Sequence, residues 1–288
     1  MPEVSVVILT LANRPAQLRA AVDSALAQRH VTIEVVVVVN GVSSSAIDVG
    51  DDARVRSIGT AENLGIPGGR NVGAEHARAP LLAFLDDDAR YAGPEVLARA
   101  VVAFDAEPDL GVIALRIADD DGVTARRHVP RIGGRQPDSG RSVTSFLGGA
   151  AVIRRTAFEQ AAGYAGAYHY AMEETDLAVR MIDHGWTIRY DGNAAVIHPM
   201  SDPSRHPDAA ERTMRNRVWL AYRNLPAPLA AGYVANWLAI STVRDPRSVR
   251  ASIRGARRGW RSRPRDQRTP IRWRTVVELT RRGRPPIV

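Results

Sequence analysis

Three adjacent carboxylates, Asp86, Asp87 and Asp88, come directly after an apolar run of strand length at residues 81–85. Clustered anions at the end of a strand repel one another, so they are costly to hold together unless a cation lies among them. Mg²⁺ and Mn²⁺ suit an all-oxygen site, and both commonly also bind substrate phosphates. The three aspartates therefore predict a metal-diphosphate site, although a solvated acidic turn is an equally good interpretation of this stretch alone.

A glycine-rich segment at residues 63–73 contains a second group of polar side chains, Asn63, Arg70 and Asn71. Glycines let the backbone approach a ligand closely, and both arginine and a helix N-terminus favour phosphate. The spacing matches neither a Walker loop nor a dinucleotide-binding fingerprint. The segment predicts a ligand-binding turn, and the alternative is a glycine-rich turn without a ligand.

A second acidic group, Glu173, Glu174 and Asp176, lies at the predicted start of a later helix. A carboxylate whose pKa is raised by burial or by neighbouring anions can take a proton from an attacking hydroxyl, which predicts a general base. The alternative is ordinary acidic charge at a helix N-terminus. His198 follows an apolar strand and can complete an aspartate-rich metal site. Gly149 precedes another strand, where it allows close packing or makes room for a sugar.

The elements that position these residues alternate between strand and helix patterns. Apolar runs predict strands at residues 4–9, 33–39, 55–58, 81–85 and 112–117. Helical spacing predicts helices at residues 15–28, 67–79 and 94–104. This order is typical of a doubly wound, mostly parallel sheet flanked by helices, whose ligands lie beyond the carboxyl ends of the strands. Residues 10–14, 40–41 and 86–88 are expected to meet there.

The second half of the chain is less regular, beginning with a polar stretch at residues 119–145 that predicts a long surface loop. Regular structure is predicted to resume at residues 146–153, and further strands are predicted at residues 186–190 and 194–198. Helices are predicted at residues 156–162, 175–184, 209–224, 228–243 and 248–261, before a loosely ordered end. We expect an α/β domain at residues 1–225 and a basic helical C-terminal extension at residues 226–288.

Charge is distributed unevenly along the chain. Residues 201–288 contain 20 Arg and six acidic residues, whereas residues 1–200 contain 19 Arg and 25 acidic residues. A basic segment of this kind indicates an anionic partner, such as nucleic acid, lipid headgroups or a lipid-diphosphate acceptor. The acidic first part and the lack of interleaved aromatic and basic residues argue against nucleic acid. An anionic membrane surface is the favoured partner, and a solvated basic face is the alternative.

Other features bear on location. The chain has no cysteine, which excludes disulfides and thiolate sites and fits a reducing compartment. Residues 225–243 are uncharged, but Pro226, Pro228 and Asn236 make them a poor membrane-spanning candidate. The first residues are strand-like and lack the basic region of a signal peptide. We expect a cytoplasmic protein that can associate peripherally with the inner face of the cell membrane.

In combination, these motifs resemble the family-2 inverting glycosyltransferases of the GT-A fold, of the non-processive, rhamnosyltransferase-like bacterial type. The matching segments are residues 4–10 with 13–15, 34–41, 63–73, 84–88, 146–150 and 173–177. The resemblance covers about residues 3–225. It implies transfer of a sugar from a UDP- or dTDP-linked donor to a hydroxyl of a glycan, lipid-linked or small-molecule acceptor, in cell-surface glycan or glycoconjugate synthesis.

The resemblance also implies individual roles. The expected donor-binding residues are Thr10, Arg14, Asn40, Asn63, Arg70, Asn71, Asp86, Asp87 and Gly149. The expected ligands of Mn²⁺ or Mg²⁺ are Asp88, Asp86 and His198. Glu174 stands where many members have the Asp that acts as catalytic base, and Asp176 or Glu173 is the alternative base. A longer Glu side chain can do the same chemistry from that position.

Two other functions remain as alternatives. A sugar-phosphate nucleotidyltransferase shares the α/β sheet and the acidic metal site, but it is expected to have a glycine-rich basic loop after the first strand. Residues 11–15 lack such a loop. The non-enzymatic alternative is a basic module that binds nucleic acid or lipid.

Overall fold

The computed structural model describes residues 1–130, 140–199 and 208–287. Within these residues the strands are β1 (Val4–Thr10), β2 (Ile33–Val39), β3 (Val55–Gly59), β4 (Leu81–Asp86), β5 (Arg90–Tyr91), β6 (Leu110–Ala118), β7 (Ala150–Arg154) and β8 (Thr187–Ile197). The helices are α1 (Pro15–Leu26), α2 (Gly65–His76), α3 (Val96–Ala106), α4 (Arg155–Gln160), α5 (Glu173–Asp183), α6 (Ala209–Asn224), α7 (Ala227–Arg244), α8 (Val249–Arg261) and α9 (Trp273–Arg281).

The strands of the described residues form one sheet in the order β3-β2-β1-β4-β7-β6-β8-β5. β1 pairs in parallel with both β2 and β4, and only β7 and β5 run against the other strands. The chain therefore continues to one side of β1 through β2 and β3 and then crosses to the other side at β4. A reversal of strand order of this kind leaves a crevice at the carboxyl ends of β1 and β4.

Both faces of the sheet are covered, which explains the nearly continuous apolar composition of its central strands. All seven residues of β2 are buried. Alternate residues of β1 point to opposite faces, so that Val6 and Ile8 pack with α1 and α3, whereas Val7 packs with α2, α4 and α5. The expected mostly parallel sheet flanked by helices is confirmed.

Three predicted elements differ from the structure. The strands predicted at residues 186–190 and 194–198 are one strand, β8, whose register with β6 shifts between the pairs Leu115–Asp191 and Arg116–Ala195. Polar residues at this irregularity account for the apparent break in the apolar pattern. The regular structure predicted at residues 146–153 corresponds to β7, which begins only at Ala150, directly after Gly148 and Gly149. The end of the chain, predicted to be loosely ordered, contains α9, which is anchored by the buried side chains of Thr275 and Leu279.

The C-terminal helices share their core with the sheet. Tyr233 of α7, with Ile271 and Leu279, belongs to the buried cluster that also contains Leu220 of α6 and Phe84 of β4. The division of the chain at residue 225 stays a prediction. Among the described residues, no helix combines the length and the apolar character that crossing a membrane requires.

Candidate functional site

A cavity of about 500 Å³ opens at the carboxyl ends of β1, β2 and β4, where the topology places the crevice. Its lining includes the polar side chains Thr10, Asn13, Arg14, Asn40, Asn63, Asp86, Asp87, Asp88, His169, Tyr170, His198 and Arg212. The three strand ends that the sequence predicts to meet there do so. We call this the first cavity.

Asp86, Asp88 and His198 form a group at one side of the first cavity, where one ligand atom from each lies within 4.8 Å of the others. Nε2 of His198 is 3.2 Å from Oδ1 of Asp88 and 3.7 Å from Oδ2 of Asp86. Hydrogen bonds to Asp86 and Asp88 raise the pKa of His198 to about 10. Two carboxylates and an imidazole suit Mn²⁺ or Mg²⁺. When bound, such a cation would replace the proton that His198 shares with the two aspartates.

Asp87 has different partners from its two neighbours. Oγ1 of Thr10 donates a hydrogen bond of 2.6 Å to Asp87, and Arg14 lies 3.7 Å from the other carboxylate oxygen. Burial raises the pKa of Asp87, and the charge of Asp88 adds to this effect. Arg14 also forms an ion pair with Asp88. Thr10, Arg14 and Asp87 thus form a connected polar wall of the first cavity.

Asn40 and Asn63 fix the turn that leads into α2. Nδ2 of Asn40 donates to Oδ1 of Asn63 at 3.0 Å and to the carbonyl of Gly65 at 3.2 Å, while its Oδ1 accepts from the Leu64 amide at 2.9 Å. Gly65 has a φ of +71°, which glycine adopts readily. The two asparagines therefore shape the cavity wall as well as line it.

The remainder of the glycine-rich segment serves packing rather than ligand approach. A Cβ on Gly69 or Gly73 would lie 2.3 Å from the side chains of Leu9 and Val7, so these glycines bring α2 close against β1. Asn71 exchanges two hydrogen bonds with the backbone of Tyr164, at 2.8 and 3.0 Å, and does not line the first cavity. Its position favours a structural role over the expected donor contact.

Arg70 is a buried bridge between two carboxylates. Its guanidinium lies 2.9 Å from Oδ1 of Asp86 and 3.5 Å from Oε1 of Glu174. A Cβ on Gly148 would lie 2.0 Å from Nη1 of Arg70, and one on Gly149 would lie 2.1 Å from Asp86. The two glycines therefore leave the space that this ion-pair chain occupies. Arg70 is 4% exposed. Its guanidinium therefore pairs with these two carboxylates and is not available to bind a phosphate.

Glu174 lies beyond Arg70, in the wall of a second cavity of about 250 Å³. Its Oε1 accepts a hydrogen bond of 3.2 Å from the Gly148 amide. The same cavity is lined by His128, whose ring centroid lies 6.4 Å from that of His198. The second cavity therefore lies close to Asp86, Asp88 and His198, which we call the metal-type group. Among the described residues, Glu174 is the acidic side chain that borders the second cavity.

Glu173 is buried, and burial together with the charge of Glu174 raises its pKa to about 8. Its side chain borders neither cavity. A general base must reach the proton that it removes, so position favours Glu174 over Glu173.

Asp176 lies inside the protein and is fully buried. Arg180 and Arg223 contact its Oδ2 at 2.6 and 2.7 Å, while Asn224 and Tyr168 donate to its Oδ1 at 2.6 and 3.1 Å. Asp176 borders neither cavity. With both oxygens engaged, it joins α5 to α6, and its position supports a structural role instead of the expected catalytic one.

We expect the Asp176→Asn variant to lose about 3–5 kcal/mol of unfolding free energy, because Arg180 and Arg223 would keep their charge without a buried carboxylate partner. Urea unfolding measures this change. Asp23→Asn on the exposed surface of α1 is the control and should change stability by less than about 0.5 kcal/mol. Wild-type stability combined with a specific loss of kcat would instead support a catalytic Asp176.

The loop before α5 contains site residues that the sequence motifs do not identify. His169 and Tyr170 line the first cavity, and His169, Ala171 and Met172 have φ values of +62°, +68° and +74°. Non-glycine residues adopt this region at an energetic cost that the surrounding structure must offset. Nδ2 of the buried Asn216 in α6 donates to the carbonyls of Tyr168, Tyr170 and Ala171, at 3.2, 2.7 and 2.8 Å. The sequence shows an asparagine within the predicted arginine-rich helix, but its burial and its contacts with this loop become evident only in the folded chain.

The basic residues of the second cavity, unlike Glu174, are also not identified by the sequence motifs. Arg127 and His128 lie within the stretch predicted as a surface loop, part of which falls outside the described residues. Arg284 lies in the segment predicted to be loosely ordered. No local pattern connects these positions with Glu174, because the tertiary fold alone brings them together.

Comparison with known proteins identifies the fold and the family. Solved structures that resemble this one include the S. aureus TarS fragment 1–349, with a TM-score of 0.60 and 16% identity over 85% of this chain and 74% of that chain. A mannosyltransferase from Pyrobaculum calidifontis, in complex with GDP-Man and Mn²⁺, has a TM-score of 0.56 and 16% identity over 91% of this chain and 76% of that chain. These similarities confirm the expected GT-A fold.

No curated protein sequence matches this chain. The family model described as glycosyl transferase family 2 matches residues 5–173, which is more than half of the chain and includes Asp86, Asp87 and Asp88 but ends before Glu174. The protein therefore belongs to glycosyl transferase family 2.

Proposed function

We propose that this protein is an inverting glycosyltransferase that uses a nucleoside-diphosphate sugar, with the donor in the first cavity and the acceptor in the second. The observation that carries the proposal is the chain Asp88–His198–Asp86–Arg70–Glu174. It places a metal-type group on the first cavity and a carboxylate on the second, with one buried guanidinium between them. Separate sides for leaving group and base are what inversion at a sugar carbon requires.

The first cavity offers contacts for each part of a nucleotide donor. Asn40 and Asn63 line the end where we place the base and ribose, and Asp87 with Thr10 provides further polar contacts. Asp86, Asp88 and His198 would hold a divalent cation beside the diphosphate. When bound, such a cation neutralises the charge that develops on the departing diphosphate. Arg14, partly exposed beside Asp88, lies where it can contact the same phosphates.

Glu174 is assigned the role of base. Its carboxylate receives the proton of the acceptor hydroxyl as that oxygen attacks the anomeric carbon, and the bond to the diphosphate breaks on the opposite face. The Gly148 amide and the Arg70 guanidinium hold the carboxylate in place. Burial of Arg70 keeps this pairing out of water, which strengthens its electrostatic effect.

The test is hydrolysis of a panel of UDP-, dTDP- and GDP-linked sugars by the purified protein, followed by mass spectrometry of the products. We expect release of a nucleoside diphosphate from at least one donor, loss of this activity with EDTA, and recovery with Mn²⁺ or Mg²⁺. Release of pyrophosphate in the presence of a nucleoside triphosphate and a sugar phosphate would support a nucleotidyltransferase instead. Full activity in EDTA would contradict the metal assignment.

The sugar and the acceptor are finer questions. Among the similar structures, one protein is in complex with GDP-Man and another with UDP-GlcNAc. UDP- and GDP-linked sugars are therefore the first donors to test. The rhamnosyltransferase-like specificity and a role in cell-surface glycan synthesis stay predictions, and the donor panel addresses the first of them directly.

We also propose that α8 binds an anionic membrane surface. Ser252, Gly255 and Gly259 are buried against α6, which directs the opposite face of α8 to solvent. That face carries the exposed Arg250, Arg257 and Arg261, which have no ion pair among the described residues. Trp260, 58% exposed, lies at its edge, where the ring also contacts that of Tyr222 in α6. Arg254 and Arg258 instead approach Glu211 within 3.0 and 3.7 Å. An exposed aromatic residue among cations is typical of a helix lying in a lipid interface.

Replacing both Arg250 and Arg257 with Gln should weaken binding to phosphatidylglycerol vesicles about 30-fold, because each cation near an anionic surface contributes about 1 kcal/mol. Vesicle sedimentation measures the partition coefficient. The double variant Arg29→Gln, Arg141→Gln removes the same charge from exposed positions elsewhere and should bind nearly as the wild type does. Equal weakening in both variants, or no binding by the wild type, would reject this surface.

A further inference from the structure

The second cavity contains a cation that no acidic side chain of the described residues pairs with. Arg284 follows α9 and lines this cavity together with Glu174, Arg127 and His128. In the part of the chain that the structure describes, its guanidinium makes neither a hydrogen bond nor an ion pair. Its charged neighbour is instead Arg217, whose Nη1 donates to the hydroxyl of Tyr233 at 3.0 Å. Burial and the charge of Arg217 both lower the pKa of Arg284.

The position of Arg284 is built into the fold rather than being that of a free chain end. The Gly283 and Arg284 amides donate to the carbonyls of Thr280 and Leu279, both at 3.0 Å, and Gly283 adopts a φ of +80°. This C-terminal cap turns the chain away from α9. Pro286 is buried beyond it, and the carbonyl of Ile287 accepts a hydrogen bond of 2.7 Å from Asn236 of α7. Arg284 is therefore held between two anchored points.

A half-buried guanidinium without an acceptor, whose charge is opposed by that of another arginine, is electrostatically unfavourable. A bound anion removes that cost. Glu174 is a poor candidate for the missing partner, because it already accepts from Arg70 and Gly148. The cavity is also smaller than the roughly 300–1,000 Å³ of typical drug-sized ligand sites, so that it suits one residue of a larger acceptor.

We infer that Arg284 binds an oxyanion of the acceptor, a phosphate or a carboxylate on the sugar or alcohol unit that carries the attacking hydroxyl, and thereby places that hydroxyl against Glu174. Guanidinium matches both anions with two parallel hydrogen bonds. The preferred acceptor is thus a charged unit such as a sugar phosphate or a uronic acid, and neutral sugars are selected against. This inference rests on the proposed function, because it uses the second cavity as the acceptor site.

The experiment is calorimetric titration of the whole protein in EDTA with three probes: inorganic phosphate, glucuronate and neutral glucose. We expect at least one anion to bind, and glucose not to bind measurably at the same concentrations. Arg284→Gln should weaken anion binding at least about tenfold, since it removes a charge-assisted bidentate contact. Arg284→Lys should bind with intermediate affinity, because it keeps the charge but not the paired geometry.

Arg282→Gln is the matched control. Arg282 lies two residues away, contacts Ser142 and Glu278, and does not line the second cavity. It should bind the anions as the wild type does. The relative affinities of phosphate and glucuronate distinguish the two sources of the charge. Anion binding equal in wild type, Arg284→Gln and Arg284→Lys would overturn the inference, as would glucose binding as tightly as either anion.

The failure of this inference can be told apart from the failure of the proposed function. Donor hydrolysis by the wild type tests the proposed function without any acceptor. If the wild type hydrolyses a donor but its anion binding does not depend on Arg284, the inference alone fails. If the wild type hydrolyses no donor, the proposed function fails, whatever the titrations show.

Discussion

Replacing Glu174 with Gln is expected to lower kcat for sugar transfer by about 100-fold to 10,000-fold while changing the donor Kd by less than about twofold. An amide cannot take the proton of the attacking hydroxyl, so the chemical step loses its base. Donor binding should persist because Glu174 borders the second cavity and not the first. The Gln oxygen can still accept the hydrogen bond from the Gly148 amide, which preserves the local structure.

Transfer assays with saturating donor, together with calorimetric donor binding, measure the two quantities separately. Glu159→Gln, which removes an exposed carboxylate from α4, is the control and should leave both unchanged. Equal losses of transfer and of donor affinity would contradict the assignment. Retention of transfer in Glu174→Gln, combined with its loss in Glu173→Gln, would move the role of base to the buried neighbour.

Replacing Asp88 with Asn should weaken Mn²⁺ binding by more than about 100-fold, since loss of an outer-shell partner alone commonly costs 10–100-fold. It should lower kcat by at least a similar factor at fixed Mn²⁺. Asp88 supplies one of the three ligand atoms in the metal-type group, and Asn keeps its size without its charge. Higher Mn²⁺ concentrations should restore part of the activity, because the remaining Asp86 and His198 still favour the cation.

Asp87→Asn is the matched comparison for this variant. Asp87 is adjacent in sequence and has the same side chain, but it contacts Thr10 and Arg14 and is not part of the metal-type group. It should keep the Mn²⁺ affinity of the wild type within about threefold, even if donor binding changes. Calorimetric Mn²⁺ titration of both variants decides the point. Equal loss of Mn²⁺ affinity in the two variants would contradict the assignment of Asp88, and not Asp87, as a metal ligand.

The central sheet is readily predicted because its signals are local. Five successive apolar runs of strand length, with helical spacing before the second, fourth and fifth of them, predict β1 to β4 and β6. Polar side chains at the ends of β1, β2 and β4 then have to share one edge, since parallel strands end on the same side. The convergence of Thr10, Asn40 and Asp86 on the first cavity follows from that topology.

Side-chain partners are harder to predict from local signals. Glu174 and Asp176 look equivalent at the start of the same helix, yet Asp176 is fully buried between two arginines and Glu174 is 21% exposed at a cavity. This difference in burial depends on α6, whose Arg223 and Asn224 contact Asp176 from almost 50 residues away in the sequence. Arg70 likewise resembles a phosphate-binding residue until its two carboxylate partners are in place.

Residue types and spacing were enough to indicate the sheet, its ligand-binding edge and the cluster of three aspartates, because each depends on neighbours within one strand or turn, and the order of several such segments indicated the family. The second cavity, its cations and the choice among the three acidic residues of α5 required the folded chain. Arg127, His128, Glu174 and Arg284 span more than half of the sequence. Their meeting depends on long-range packing, in which a guanidinium can gain or lose its partner without any change in the local pattern.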